Sequence, residues 1–373
     1  METVRVAQLI GKLNAAGVEA VINNYYRNID REKYQFDYYV EEGGACQPPQ
    51  ELIDLGARYF IIPPSSHPLK QIRTLTRHFR ENEYKIVHTN LNTLAPISMY
   101  SAWKAHVPVR INHNHTNAGR GETVRNIIKY MLRPFAKCFA NTYASCSMYS
   151  AKWLFGSKMV EKGKVRLIRN AVETERFLFN RETRDRVRKE MGFEGHFVVG
   201  HVGRIYTTKN QIFLVEAFKF VHDKNPKALL LLVGVGKPEY EEELKRKVKE
   251  LGLEDSVILT GARTDVNELY QAMDVFVLPS LYEGLPVVAV EAQTSGLPCV
   301  FSNRITEEVI LCDGVQMLSI DGTQELWADK ILAAEGFVRK NRFEEIRKLG
   351  YDIKEESLKL EAFYNSLITA HTI

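Results

Sequence analysis

Short runs of β-branched and aromatic residues alternate along the whole chain with longer segments in which apolar positions recur every three or four residues. The first kind predicts buried strands, the second amphipathic helices, and their regular alternation predicts parallel βα units. Strands are expected at Val4–Ile10, Phe36–Val40, Arg58–Ile62, Lys85–Thr89, Val109–Ile111, Tyr143–Cys146 and Val165–Ile168. A second series is expected at Phe197–Val202, Leu229–Val233, Val257–Leu259, Val275–Leu278, Cys299–Phe301 and Gln316–Ser319. Between the first two strands, Val18, Val21, Ile22, Tyr25, Tyr26 and Ile29 fall on one helical face. A break near Asn170–Phe179 and a polar helix, Arg181–Met191, separate the two series. The expected fold is α/β, with two doubly wound Rossmann-like domains (1–170 and 171–350) facing across a cleft. A closing helix within 351–373, about Tyr351–Leu367, is expected to pack back on the first domain. Ligands of such sheets bind beyond the carboxyl ends of the strands.

Composition narrows this little: 373 residues, 45% hydrophobic and 26% charged, suit two globular domains and exclude a disordered chain. The best apolar run, Ala228–Val235, is too short to span a bilayer. No signal-peptide core follows Met1, and the five cysteines are scattered without a CxxC pair. A cytoplasmic protein without a disulfide scaffold or zinc ribbon is expected.

Charge adds more. Residues 1–170 hold 24 Lys/Arg against 13 Asp/Glu, and the remainder 26 against 33, so a net charge of +4 conceals a basic first half and an acidic second. The basic half would attract anionic partners. Arg125, Lys129, Arg133 and Lys137 recur every four residues beside Ile127, Ile128, Met131, Leu132 and Phe135. Lys70, Arg73, Arg77 and Arg80 repeat the idea beside Leu69, Ile72, Leu75 and Phe79. Both segments read as amphipathic helices with cationic faces, fitted to an anionic membrane surface or a lipid-diphosphate acceptor, or simply to water. Peripheral attachment at the inner face of the plasma membrane is the corresponding location.

The segment Leu278-Pro279-Ser280-Leu281-Tyr282-Glu283-Gly284-Leu285-Pro286-Val287 carries the chemistry. A strand ends, a turn presents Glu283 and Gly284, and Pro286 suits the first turn of a helix. Gly284 admits a ligand close to the backbone. The helix start can bind a phosphate or a sugar hydroxyl, and Glu291 can accept two hydrogen bonds from a vicinal diol. The competing reading is a plain connection with two solvated glutamates. Upstream, Gly203-Arg204 and Lys209 follow a strand, and the two cations can converge on a diphosphate. Gly234-Val235-Gly236 lacks the third glycine of a nicotinamide-binding turn, and no Asp-x-Asp is present.

Glu283 and Glu291, with Glu-Gly-Leu-Pro after Leu-Pro-Ser, resemble the E-x7-E motif of the family 4 (group 1) retaining glycosyltransferases. Arg204 and Lys209 match that family's Gly-Arg…Lys pair, about 75 residues earlier. The resemblance implies the two-domain GT-B architecture. It also implies that Glu291 binds the nucleotide ribose, that Glu283 contacts the donor sugar, and that Gly284, Leu285 and Pro286 line the sugar and diphosphate. Arg204, Lys209 and the helix terminus would then neutralise the diphosphate without a metal or other cofactor. Gly17, within Ala16-Gly17-Val18-Glu19, resembles the family's Gly-Gly-x-Glu turn with one glycine replaced. Arg110-Ile111-Asn112-His113-Asn114-His115 resembles a variant found in capsule and exopolysaccharide members, in which a histidine lines the cleft. His113 is placed ahead of His115, though either aligns, and an imidazole titrating near neutrality could bind a sugar hydroxyl or take the acceptor proton.

The implied activity is a hexosyltransferase that moves a hexose or N-acetylhexosamine from a nucleotide sugar, a UDP-sugar first, to a saccharide acceptor. A lipid-linked oligosaccharide for capsule or exopolysaccharide is the specific acceptor expected. A nucleotide-sugar epimerase or hydrolase of the same architecture is the alternative. A nucleic-acid-binding protein fits only the basic half, and no nucleic-acid partner is expected.

Overall fold

The computed structural model describes residues 3–14, 17–44, 46–117 and 123–372, and the side chains of all of these except 123–125 and 372. Among the described residues, thirteen strands form two parallel sheets. The first contains β1 (Val4–Gly11), β2 (Tyr34–Glu41), β3 (Arg58–Ile62), β4 (Ile86–Thr89), β5 (Val109–Asn114), β6 (Thr142–Ser145) and β7 (Val165–Leu167), in the order 3-2-1-4-5-6-7. The second contains β8 (Phe197–Val202), β9 (Ala228–Val233), β10 (Val257–Leu259), β11 (Val275–Leu278), β12 (Cys299–Ser302) and β13 (Val315–Leu318), in the order 10-9-8-11-12-13. Each order reverses beside its first strand, which makes β1/β4 and β8/β11 the switch points of doubly wound sheets.

The chain divides into two compact units, one running through Val172 and resuming at Gly350, the other spanning Glu173–Leu349. In the second unit β8 and β9 are buried along their whole length, as strands covered on both faces must be. Val199, Leu230, Leu232 and Val277 pack there with Phe218 and Trp327 from the covering helices. In the first unit Leu9, Val87 and Tyr39 pack with Phe79 and Met99. The helix Ile353–Thr372 lies in this unit, where Tyr34 donates to Asn365 (2.6 Å) and Asp30 N–H donates to Glu361 (2.8 Å).

Two local readings are corrected. β5 continues past Ile111 through Asn112, His113 and Asn114, so His113 sits in a buried strand rather than in a loop. Hydropathy misses this extension because its two side-chain amides donate internally, Asn112 to the Ala136 carbonyl (2.6 Å) and Asn114 to that of Ser150 (2.7 Å). The second correction concerns the cationic row. The helix Thr123–Leu132 gives way to a 3-10 turn, Arg133–Lys137, at Pro134, which has no N–H to continue the ladder. Arg133 and Lys137 therefore leave the face that the four-residue spacing assigned them.

Candidate functional site

In the second unit the loops after β8, β9 and β10 are tied together. Gly203 N–H donates to Val233 (2.9 Å), Ile205 N–H to Val235 (3.0 Å) and Gly234 N–H to Gly261 (2.9 Å). This approach requires glycine: a Cβ on Gly234 (φ +139°) would stand 2.2 Å from the Gly203 carbonyl oxygen, and one on Gly236 2.3 Å from that of Ile205. Gly234 and Gly236 thus pack the loop that carries Arg204.

His201 lies buried beneath that loop. Gln211 donates through Nε2 to the Arg204 carbonyl (2.8 Å) and meets His201 Nε2 at 3.2 Å, so His201 carries its proton on Nδ1 and donates it to the Val277 carbonyl (2.9 Å). Burial pulls the imidazole down to about 4, and Lys209 adds to the effect against the Val277 bond. His201 and Gln211 hold the Arg204 turn from below. Neither was expected, and the one signal in the sequence is a histidine inside an otherwise apolar strand.

A second tie brings two of the expected residues together. Leu281 N–H donates to the Thr208 carbonyl (2.8 Å), and Asn210, at φ 59°, donates to the Pro279 carbonyl (3.3 Å). Lys209 Nζ consequently reaches Glu283 Oε1 at 2.5 Å, with the Ser280 hydroxyl on the same oxygen at 2.9 Å. Arg204 is exposed on the adjoining turn. Gly284 and Pro286 are buried, as is the Leu285 side chain. Pro286 stands one position earlier than expected, at the N-cap of the helix Val287–Thr294. Glu291, within that helix, accepts from the Tyr270 hydroxyl at 3.0 Å. Burial raises its carboxyl to about 7, against the Tyr270 hydrogen bond and the Arg176 charge. Arg263 is held by Asp265 in a bidentate pair (2.8 and 2.6 Å).

In the first unit Gly17 opens the helix Gly17–Asn28 at an exposed position, while Ala16 lies outside the described residues. Glu19 turns inward and accepts from Asn14 N–H (2.8 Å). His113 and His115 are both buried, with ring centroids 3.9 Å apart. The expectation of an imidazole titrating near neutrality is corrected here. Burial pushes His113 well below its ordinary range, helped by His115 and His88, and pushes His115 down to about 3. Both are neutral and act as hydrogen-bonding groups.

The cationic segment is also open to view. Lys129 donates to the Asn117 carbonyl (3.2 Å), the Arg133 guanidinium lies 5.8 Å from the centre of the Trp153 ring, and Lys137 is exposed. The Arg125 side chain lies outside the described residues. Ile127, Ile128, Met131 and Phe135 are each at least half exposed. Among the described residues no three His, Cys, Asp or Glu converge as metal ligands, and no helix is long and apolar enough to cross a membrane.

Comparison with known proteins decides the family. Residues 183–336 match the family described as Glycosyl transferases group 1, and residues 15–176 match Glycosyltransferase Family 4. EpsF of Bacillus subtilis (strain 168) is 32% identical over 97% of this chain and 96% of its own. The chain belongs to the family 4 (group 1) glycosyltransferases. This glycosyltransferase is also 28% identical, over 77% of its length and 76% of the relative's, to an Escherichia coli UDP-Gal:alpha-D-GlcNAc-diphosphoundecaprenol alpha-1,3-galactosyltransferase. Its fold is that of HepE from Anabaena, a structure solved with UDP and glucose (TM-score 0.81, 19% identity, 97% and 100% of the two chains). The GT-B architecture follows.

Proposed function

We propose that the enzyme transfers a hexose or N-acetylhexosamine from a UDP-sugar to a lipid-linked saccharide acceptor, with retention of anomeric configuration, in the assembly of a capsule or exopolysaccharide. The observation that carries this reading is the convergence of Lys209 and Glu283, at 2.5 Å, beside the helix that bears Glu291. Arg204 and Lys209 would bind the diphosphate, the amino end of the helix Val287–Thr294 would add its partial positive charge, and no divalent ion is needed. Glu291 would take the ribose diol, and Glu283 a hydroxyl of the sugar. In a front-face transfer the departing diphosphate accepts the acceptor's proton, a role that neutral His113 and His115 leave open. The relatives' names favour a UDP-sugar and a diphosphoundecaprenol-linked acceptor. The capsular glycosyltransferase CapH of Staphylococcus aureus, 24% identical over 80% of this chain, favours the same setting.

Docking of the first unit on an anionic bilayer through the Thr123–Lys137 segment would bring such an acceptor within reach, since that segment pairs exposed apolar side chains with cations. The deciding experiment is calorimetric titration with UDP, GDP and ADP, without added metal, on the wild type and Glu291→Ala, followed by product analysis with UDP-sugars. Selective UDP binding lost in the variant, and a new glycosidic bond in the product, are the expected results. An epimer or a free sugar would favour an epimerase or hydrolase, and binding of no nucleotide would sink the reading.

A further inference from the structure

The connections of the first sheet sort its helices by face. From β1 to β3 the chain steps one way along the strand order, and from β3 to β7 it steps the other way. Right-handed crossovers then place the helices Gly17–Asn28 and Gln50–Asp54 on one face. The helices Pro68–Glu81, Ala95–Lys104, Thr123–Leu132, Met148–Phe155 and Ser157–Glu161, with the 3-10 turn Arg133–Lys137, take the other. The helix Ile353–Thr372 packs against Gly17–Asn28 and so joins the first face. Charge divides along the same line: segments 68–81, 95–104, 123–137 and 148–161 hold eleven Lys/Arg and two Asp/Glu, whereas 17–28, 50–54 and 353–372 hold three and six. Exposed large apolar side chains follow the cations. Leu69, Trp103, Ile127, Met131 and Phe135 are each at least half accessible there, against Ile53 and Leu358 among the described residues of the opposite helices.

Between the helices Pro68–Glu81 and Ala95–Lys104 lies an open groove of about 370 Å³, lined by Arg73, Thr76, Arg77, Arg80, Glu81 and Lys104. Arg80 donates to the Lys104 carbonyl (2.8 Å), which ties the two helices together. The one acid, Glu81, stands 3.9 Å from Arg77, and with side chains 60% and 66% exposed the pair neutralises little. Four cations against one acid in a single recess suit an anionic oxygen cluster such as a phosphate, which arginine meets as a planar fork. The border of the groove selects a phosphate held at a bilayer over one free in water. Leu69 precedes Arg73 by one turn, and Trp103 directly precedes Lys104. The Trp103 ring is braced by Tyr100 and Phe139, with centroids 5.8 and 5.5 Å away, and Arg110 holds the Phe139 carbonyl at 2.6 Å. A braced aromatic ring beside cations fits the boundary between water and lipid.

We propose that this groove binds the phosphate of an anionic phospholipid, with Arg73, Arg77, Arg80 and Lys104 around it and with Leu69 and Trp103 entering the interface beside it. Such a site rests on the reading that the first unit docks on a bilayer. It adds to the Thr123–Lys137 segment a second attachment on the same side of the sheet, and two attachments fix the tilt of the unit where one would leave it free to swing.

Sedimentation of the whole enzyme with phosphatidylserine-containing vesicles reads the site without any sugar donor. Arg73→Glu and Arg77→Glu should each weaken binding about tenfold or more, while Lys354→Glu, the same change in net charge on the opposite helices, should leave it within about twofold. Both arginines are exposed, so denaturation midpoints should hold. Vesicles with brominated acyl chains should quench a component of the tryptophan fluorescence that Trp103→Phe removes. Binding lost in Met131→Asp but kept in both arginine variants would leave the docking reading standing and overturn the groove. An equal loss in Lys354→Glu would reduce the effect to net charge and overturn it as well, as would a Trp103 that bound vesicles leave unquenched. Inorganic phosphate or an RNA homopolymer that binds the wild type and is lost in Arg73→Glu, with vesicle binding intact, would reassign the groove and overturn the lipid. A wild type that does not sediment would remove the docking reading and the groove together, without bearing on UDP binding or transfer.

Discussion

Lys209 Nζ and Glu283 Oε1 stand 2.5 Å apart, with side chains 20% and 18% exposed, so two groups read as donor ligands neutralise each other. A diphosphate must draw Lys209 from this pair. Glu283→Gln removes the competitor and should strengthen binding of UDP alone by a few-fold while depressing transfer by about a hundredfold. Lys209→Ala should weaken UDP by about ten- to a hundredfold, since a charge-assisted bond contributes about 1.5–3 kcal/mol. Calorimetry and a product assay on the two variants check both signs. UDP bound more weakly by Glu283→Gln would show that the pair does not oppose the ligand.

Glu291 makes stability and binding depend on pH in opposite senses. Its carboxyl is raised by burial from 4.5 to about 7, so the folded protein holds a proton that the unfolded chain has released between those values. The stability it contributes is fully present below about pH 4.5 and is lost as pH rises through about 7. The amount is on the order of 2 kcal/mol, below the full shift because Glu291 keeps some solvent access. Urea denaturation of wild type against Glu291→Gln, from about pH 4.5 to pH 8.5, should show a difference that tracks this titration. UDP binding runs the other way, because a diol needs the carboxylate as acceptor, and should weaken below about pH 7 in the wild type alone.

Gln211 ties the Arg204 carbonyl to His201, so Gln211→Ala leaves both without their donor. A loss of about 1–3 kcal/mol in folding stability is expected, with UDP binding weakened several-fold through the unanchored Arg204 turn. Gln211→Glu should not rescue it, since a carboxylate cannot donate to the Arg204 carbonyl. Denaturation midpoints and UDP titration check this. Full UDP affinity in a destabilised Gln211→Ala would confine the residue to folding.

The exposed Ile128 and Met131, 50% and 68% accessible, test membrane docking without touching the donor site. Sedimentation with phosphatidylserine-containing vesicles should show binding that weakens with salt and falls about tenfold in Met131→Asp. Activity on a soluble acceptor should be unchanged. Binding indifferent to Met131→Asp would remove this segment as the docking face.

Strand positions were legible because a parallel sheet covered on both faces turns each strand into a short apolar run, as in β8 and β9. The glutamate turn was legible because Gly284 and Pro286 punctuate the chain at fixed spacing from Glu283 and Glu291. Local rules of that kind need no knowledge of distant partners. What only the tertiary structure decided depends on residues far apart in the chain. Asn112, His113 and Asn114 look like loop residues until their buried partners are known. A histidine's charge is set by its surroundings, so the neutrality of His113, His115 and His201 could not be read from neighbours in sequence. The pairing of Lys209 with Glu283 and the contact of the Tyr364 hydroxyl with His88 exist only where separate strands and helices meet, because hydrogen bonds act over about 3 Å and sequence spacing does not encode them.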